Sequence, residues 1–231
     1  MGQCLQSQKK MKSNIFYIII FSLFISEFNG QTEIYGSLKY QLNEFAGFSV
    51  IISSETTKKF YIHENNEALF NQELVTSFDS TIGSDNYFFT NAGIVDSVDN
   101  NCELKGLFIE NSVTKKTINL SNGSGNFFLE PNGVLIIKKD SAIITNSDSA
   151  VSLLNDSINM AIQSGPMLIF NDTINPLFNP NSPNKHIRSG VGISFENNNA
   201  VKLIFVISKN PVTFFEISNF LKDEFNCKQA L

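Results

Sequence analysis

The 231-residue chain has no tryptophan, two histidines, three cysteines and a single arginine. Two histidines and three cysteines make a poor set of ligands for a zinc cluster, and the sequence supports no metal or cofactor assignment. Neither His63 nor His186 has the context of a catalytic triad, which disfavours a serine hydrolase of that type. Basic residues are also scarce. Lys and Arg number 17 against 22 Asp and Glu, a formal net charge of −5. That balance argues against a nucleic-acid partner, because neutralising phosphates needs a basic face. The apolar run 15–25 is short, since a bilayer-spanning helix needs roughly 20 residues. There is no tandem repeat and no long linker.

What is present is an ordinary globular composition, 42% apolar and 17% charged, with 22 Phe. Disorder is excluded by that apolar content, and a Phe-rich core is expected. The length fits one domain or two small ones. Residues 1–30 read as a targeting segment: Lys9, Lys10 and Lys12 precede the apolar run, and Ser26, Asn29 and Gly30 follow it. This order suits a secretory signal peptide, with an uncleaved N-terminal anchor as the other reading. The expected location is therefore exported, in the periplasm or cell envelope or outside the cell. Residues 31–231 form the expected domain, with a net charge of −7. They keep Cys102 and Cys227, either paired in an oxidising compartment or both buried as free thiols.

Short apolar runs alternate with Asn, Ser, Gly and Asp clusters, the pattern of many strands joined by polar turns. Strands are expected at 48–53, 59–63, 87–90, 106–109, 126–129, 134–138, 142–145, 167–170, 190–195 and 202–208. Glu130-Pro131-Asn132-Gly133 has Pro and Gly where a tight turn wants them, which suggests a hairpin. Two helices are expected. One covers 65–78; the other follows Pro211-Val212-Thr213, with Thr213 and Glu216 as a capping box. Phe214, Ile217, Phe220, Leu221 and Phe225 give the second helix an apolar stripe that faces a core. The expected class is α+β, a mixed, mostly antiparallel twisted sheet flanked by a few helices.

Four segments stand out chemically. Thr90-Asn91-Ala92-Gly93-Ile94-Val95-Asp96 leaves a strand through a turn, where Gly93 lets backbone approach a ligand closely; an ordinary turn is the plain alternative. Gln163-Ser164-Gly165-Pro166 offers donors and acceptors ahead of a proline-fixed strand entry. Arg188, before Ser189-Gly190-Val191-Gly192, presents a planar fork suited to phosphate or carboxylate, or to a structural ion pair. Gly125 to Val134 reads as turn, strand, turn.

In this order the segments TNAGIVD, GNFFLEPNGV, QSGPMLIF and FNPNSPNKHIRSGVGI, with the helix ending in NCKQAL, resemble the phosphodiester glycosidase family. The likeness is to the bacterial, exported branch of this uncovering-enzyme-like family. It implies a hydrolase that cleaves the glycosidic bond of a sugar phosphodiester of the N-acetylglucosamine-phosphate type, with a glycan or sugar-phosphate as ligand. It implies that Arg188 holds the phosphate and that Asn91, Gln163 and Ser164, with Gly93 and Gly165, line the substrate site. Asp96 would be the base or a cation ligand, or only cap its turn; Asp96 and Asn91 are the catalytic candidates. The family places an Asp-Gly strand after the helix. Its absence here suggests a C-terminally incomplete domain, and so a second expectation, a non-catalytic carbohydrate- or phosphate-binding envelope protein or an inactive homologue. A membrane contact is expected only through residues 1–30, if they are retained.

Overall fold

A computed structural model describes residues 19–24, 32–53, 60–63, 87–96, 103–155, 157–196 and 200–231. The elements in chain order are β1 (Ile19–Phe24), β2 (Thr32–Tyr40), β3 (Asn43–Ile51), β4 (Phe60–His63), β5 (Tyr87–Ala92), β6 (Val95–Asp96), β7 (Glu103–Leu104), β8 (Phe108–Glu110) and β9 (Val113–Lys116). They continue as β10 (Gly133–Lys138), β11 (Ala142–Asn146), α1 (Ser147–Val151), β12 (Ile158–Ser164), β13 (Ile169–Phe170), β14 (Thr173–Ile174), β15 (Ser189–Phe195), β16 (Val201–Ser208), α2 (Phe214–Phe225) and β17 (Gln229–Ala230). The molecule is mostly sheet, and every strand pair among the described residues is antiparallel.

Two sheets carry the architecture. One has the order β14-β13-β17-β15-β16-β3-β2, the other β11-β10-β12-β8-β9. A smaller sheet, β4-β1-β5, places β1, from within the expected targeting segment, between two later strands. The two large sheets pack face to face. Phe48, Val50, Leu203 and Phe205 of the first meet Leu135, Ile137, Met160 and Ile162 of the second. Each sheet is also covered on its outer face. Ile204 and Val206 pack under Ile217, Phe220 and Leu221 of α2, while Val134, Ile136, Ile158 and Ala161 form a third cluster with Ala150 of α1. This double coverage explains why β10 (GVLIIK) and β16 (VKLIFVIS) are continuous apolar runs: alternate residues serve different cores.

Helix α2 forms as its sequence dictates. The Thr213 hydroxyl accepts from the Glu216 N–H at 3.1 Å, and the Glu216 carboxylate accepts from the Thr213 N–H at 2.7 Å. Its C-terminus closes on Asn226 in the left-handed region at φ 52°, a conformation Asn tolerates. The buried face stacks Phe220 on Phe45 with ring centroids 3.9 Å apart. Burial of each such side chain contributes about 1.5–3 kcal/mol. Behind it, Cys227 is buried against Gly192, and burial pushes its thiol up to about 12, so it stays protonated. Cys102 lies outside the described residues.

Two expectations change. Residues 126–129 do not form a strand: Asn126–Phe128 is a single 3-10 turn entered through Gly125 at φ 92°. Here Phe127 is buried, Phe128 half-buried, and Asn126 and Leu129 exposed, so one side chain is buried where a strand of this length would bury alternate residues. Consequently Glu130-Pro131-Asn132-Gly133 joins that turn to β10, and β10 pairs with β11 and β12 instead. Strand β12 and the nine-residue β2 were not anticipated. The helix expected at 65–78 lies outside the described residues.

Glu216 also provides a pH test. Burial raises its pKa, but the Lys185 ammonium 2.7 Å away and the Thr213 cap outweigh this and hold it below the ordinary 4.5. Its stabilising effect is therefore present above about pH 4.5 and is lost as pH falls through the lower folded value. Because the pair is partly exposed, replacing Glu216 by Gln should cost no more than about 1 kcal/mol at pH 7. Urea melts should show the two proteins converging at lower pH; a constant difference would refute the assignment.

Candidate active site

The cavity lies between the two large sheets, with residues of β10 and β12 on one side and of β15 and β16 on the other. It measures about 80 Å³ and is lined by Ala92 at the end of β5, Gly93 after it, Ile162 and Ser164 of β12, Ser189 to Val191 of β15, Leu135, Phe205 and Leu231. Three of the four segments singled out in the sequence thus meet at one place. Its wall is mainly apolar, with the Ser164 and Ser189 hydroxyls as side-chain polar groups and no charged side chain among the lining residues.

Gly93 needs to be glycine here. It is buried at φ 78°, and a Cβ at this position would stand 2.9 Å from Leu104 Cδ2 and 3.1 Å from Ile162 Cδ1. Asn91 sits two residues before it on β5, in register with Ile20 of β1. Asp96 closes β6, opposite Glu103. The turn between them is tied to the neighbouring strand by the Lys105 N–H, which donates to the Ile94 carbonyl at 2.8 Å.

Ser164 ends β12 opposite Gly133. Gly165 then packs so tightly that a Cβ would approach Asn132 Nδ2 at 2.5 Å and the Phe127 carbonyl at 2.6 Å. The Met167 N–H donates to the Pro131 carbonyl at 2.8 Å, and Asn175 Nδ2 donates to the Glu130 and Met167 carbonyls at 3.1 Å each. The GNFFLEPNGV segment is therefore the foundation under the QSGP segment.

Gln163 is buried and points away from the cavity, as alternation along β12 requires when Ile162 and Ser164 face it. Its carboxamide is committed to protein. Oε1 accepts from the Leu107 and Asn119 N–H groups at 2.9 Å each. Nε2 donates one hydrogen to the Asn119 carbonyl at 2.7 Å and shares the other between Asn132 Oδ1 at 2.8 Å and Ser147 Oγ at 3.0 Å. Ser147 Oγ in turn donates to Asn132 Oδ1 at 2.6 Å.

Arg188 precedes the cavity wall by one residue, but its guanidinium turns toward α2. Cζ lies 3.7 Å from the centroid of the Phe214 ring. Nε donates to the Val212 carbonyl at 2.9 Å and Nη2 to the Asn184 carbonyl at 3.2 Å. Burial lowers its pKa to about 10, still fully charged at neutral pH. Neither Gln163 nor Arg188 lines the cavity; Gly93 and Ser164 do. Among the described residues no group of three or more His, Cys, Asp or Glu is placed to hold a metal.

The family model for phosphodiester glycosidases matches residues 86–231, the stretch that contains every segment building this cavity. The chain belongs to the phosphodiester glycosidase family. It is also similar to the uncharacterized protein YigE of Escherichia coli strain K12, with 39% identity over 126 residues. That alignment covers 54% of this chain and 47% of YigE, so the chain spans about half the length of this curated relative. Within the glycosidase family frame, the residues that sequence reasoning passed over are Ser189 and Gly190 on the wall and Asn132, Ser147 and Asn119 behind it. Asn132 carried a turn signal; Ser147 and Asn119 carried none.

Gly93→Ala should destabilise the fold by about 1–3 kcal/mol through its positive φ, with the Leu104 contact adding to that. A lowered urea midpoint checks it, and an unchanged midpoint would show that the turn accommodates a side chain.

Proposed function

We propose that this phosphodiester glycosidase-family protein is an exported hydrolase that cleaves the bond between a sugar and the phosphate of a sugar phosphodiester. The convergence of the Gly93, Ser164 and Ser189–Gly190 backbones on one cavity supports this reading. A phosphate leaving group is a weak base, so the reaction needs less protonation than release of a sugar alcohol. The burden moves to holding the phosphate and to stabilising positive charge at the anomeric carbon.

The cavity is about 80 Å³, roughly half the ~150 Å³ of an apolar cavity that accepts benzene. It takes a substituent of the sugar, and the ring and phosphate lie across its mouth. Ser164 then contacts the ligand by its hydroxyl and Gly93 by backbone, while Gly165, expected at the site, packs behind them against Asn132 and Phe127. Asn91 and Asp96, on the two strands that flank the Gly93 turn, are the catalytic candidates, Asp96 as base or cation ligand. Arg188 reaches a phosphate only by leaving the Phe214 ring and the two carbonyls it now serves.

A second reading draws on the uncharged wall: a protein that binds a carbohydrate or phosphate without turnover. Incubation with an N-acetylglucosaminyl phosphodiester distinguishes them. Release of free sugar that scales with protein concentration supports the hydrolase. Saturable binding without release supports the binder, and neither result would remove both.

A further inference from the structure

We infer that Gln163 is a positioning residue for the cavity: its buried carboxamide fixes the Ser164 hydroxyl for the reaction, and it acts without touching the ligand. The inference rests on the hydrolase reading. The carboxamide imitates a strand edge, accepting from the N–H of Asn119 and donating to its carbonyl, at 2.9 and 2.7 Å. It thereby welds the segment at 119 to β12. Through Asn132 and Ser147 it also holds the turn before β10 and the start of α1. Every one of these bonds lies on the face of β12 opposite the cavity, one peptide from Ser164. The site is packed for this side chain: a Cβ on Gly106 would meet Gln163 Oε1 at 2.5 Å. On the other side of Ser164, Gly165 is wedged against Asn132 and the Phe127 carbonyl. Ser164 therefore sits between two anchors that share Asn132.

Ser147 is the discriminating handle. It is buried at the first residue of α1, absent from the cavity wall, and its side chain is hydrogen-bonded to Asn132 and Gln163. The test compares Ser147→Ala and Gln163→Glu with the wild type, all as full chains and all confirmed folded by far-UV circular dichroism. Sugar release from an N-acetylglucosaminyl phosphodiester should lose about tenfold or more in kcat with KM held within about twofold, because misplacement of a contacting group acts on the reacting geometry. Amide exchange over residues 164–168 should quicken about tenfold, while amides of β16 and α2 stay protected. A raised KM with kcat unchanged would overturn the inference by making Gln163 a ligand contact. Wild-type kinetics together with wild-type exchange in Ser147→Ala would overturn it as well. If the wild type releases no sugar, the hydrolase reading fails, and the exchange comparison still decides whether the network fixes Ser164.

Discussion

The Gln163 carboxamide engages five neighbours through two accepting lone pairs and two amide hydrogens, one of them shared, and all five are largely or wholly shut off from water. A buried amide left unpaired costs about 1–3 kcal/mol, so its position is dictated by the partners that saturate it. Those partners come from the β7–β8 connection, the stretch after β9, the turn before β10 and the start of α1. Strand β12 could not otherwise carry a large polar side chain between Ile162 and Ser164. Everything placed at the cavity from this strand depends on that saturation.

The second constraint is that both faces of both large sheets are covered. With α2 above one and α1 with its flanking residues below the other, three apolar clusters share two sheets. The cavity lies where residues of both sheets and the turn after β5 meet, and Gly93 there has no room for a Cβ against Leu104 and Ile162.

Strands such as β10 and β16 were legible because apolar runs bounded by polar turns have few other solutions. Helix α2 was legible down to its Thr213 cap. Strand β12 was not, since Asn159 and Gln163 interrupt its apolar positions, and a register shift opposite Ile137 and Lys138 turns Ile158 to the outer cluster while Met160 and Ile162 face inward. The strand expected at 126–129 failed for the converse reason: Phe127 and Phe128 are apolar, yet their conformation is decided by Gly125 and by packing under Gly165. At the site, the grouping of Gly93 with Ser164 came from the resemblance of the segments to the family; turn chemistry by itself left each an ordinary turn. The direction of Gln163 and of Arg188 was not, because it depends on strand alternation and on a neighbour, Phe214, that is 26 residues away.

On the proposed function, the segments around Gly93, Ser164 and Ser189 form one binding place for a sugar phosphodiester. Titrating isotopically labelled full chain with an N-acetylglucosaminyl phosphodiester and following backbone amide resonances tests it directly. The largest shifts are expected at Gly93, Ser164, Gly165 and Gly190, saturating together with one dissociation constant. Shifts confined to the Arg188–Phe214 surface, or none at saturating ligand, would contradict it.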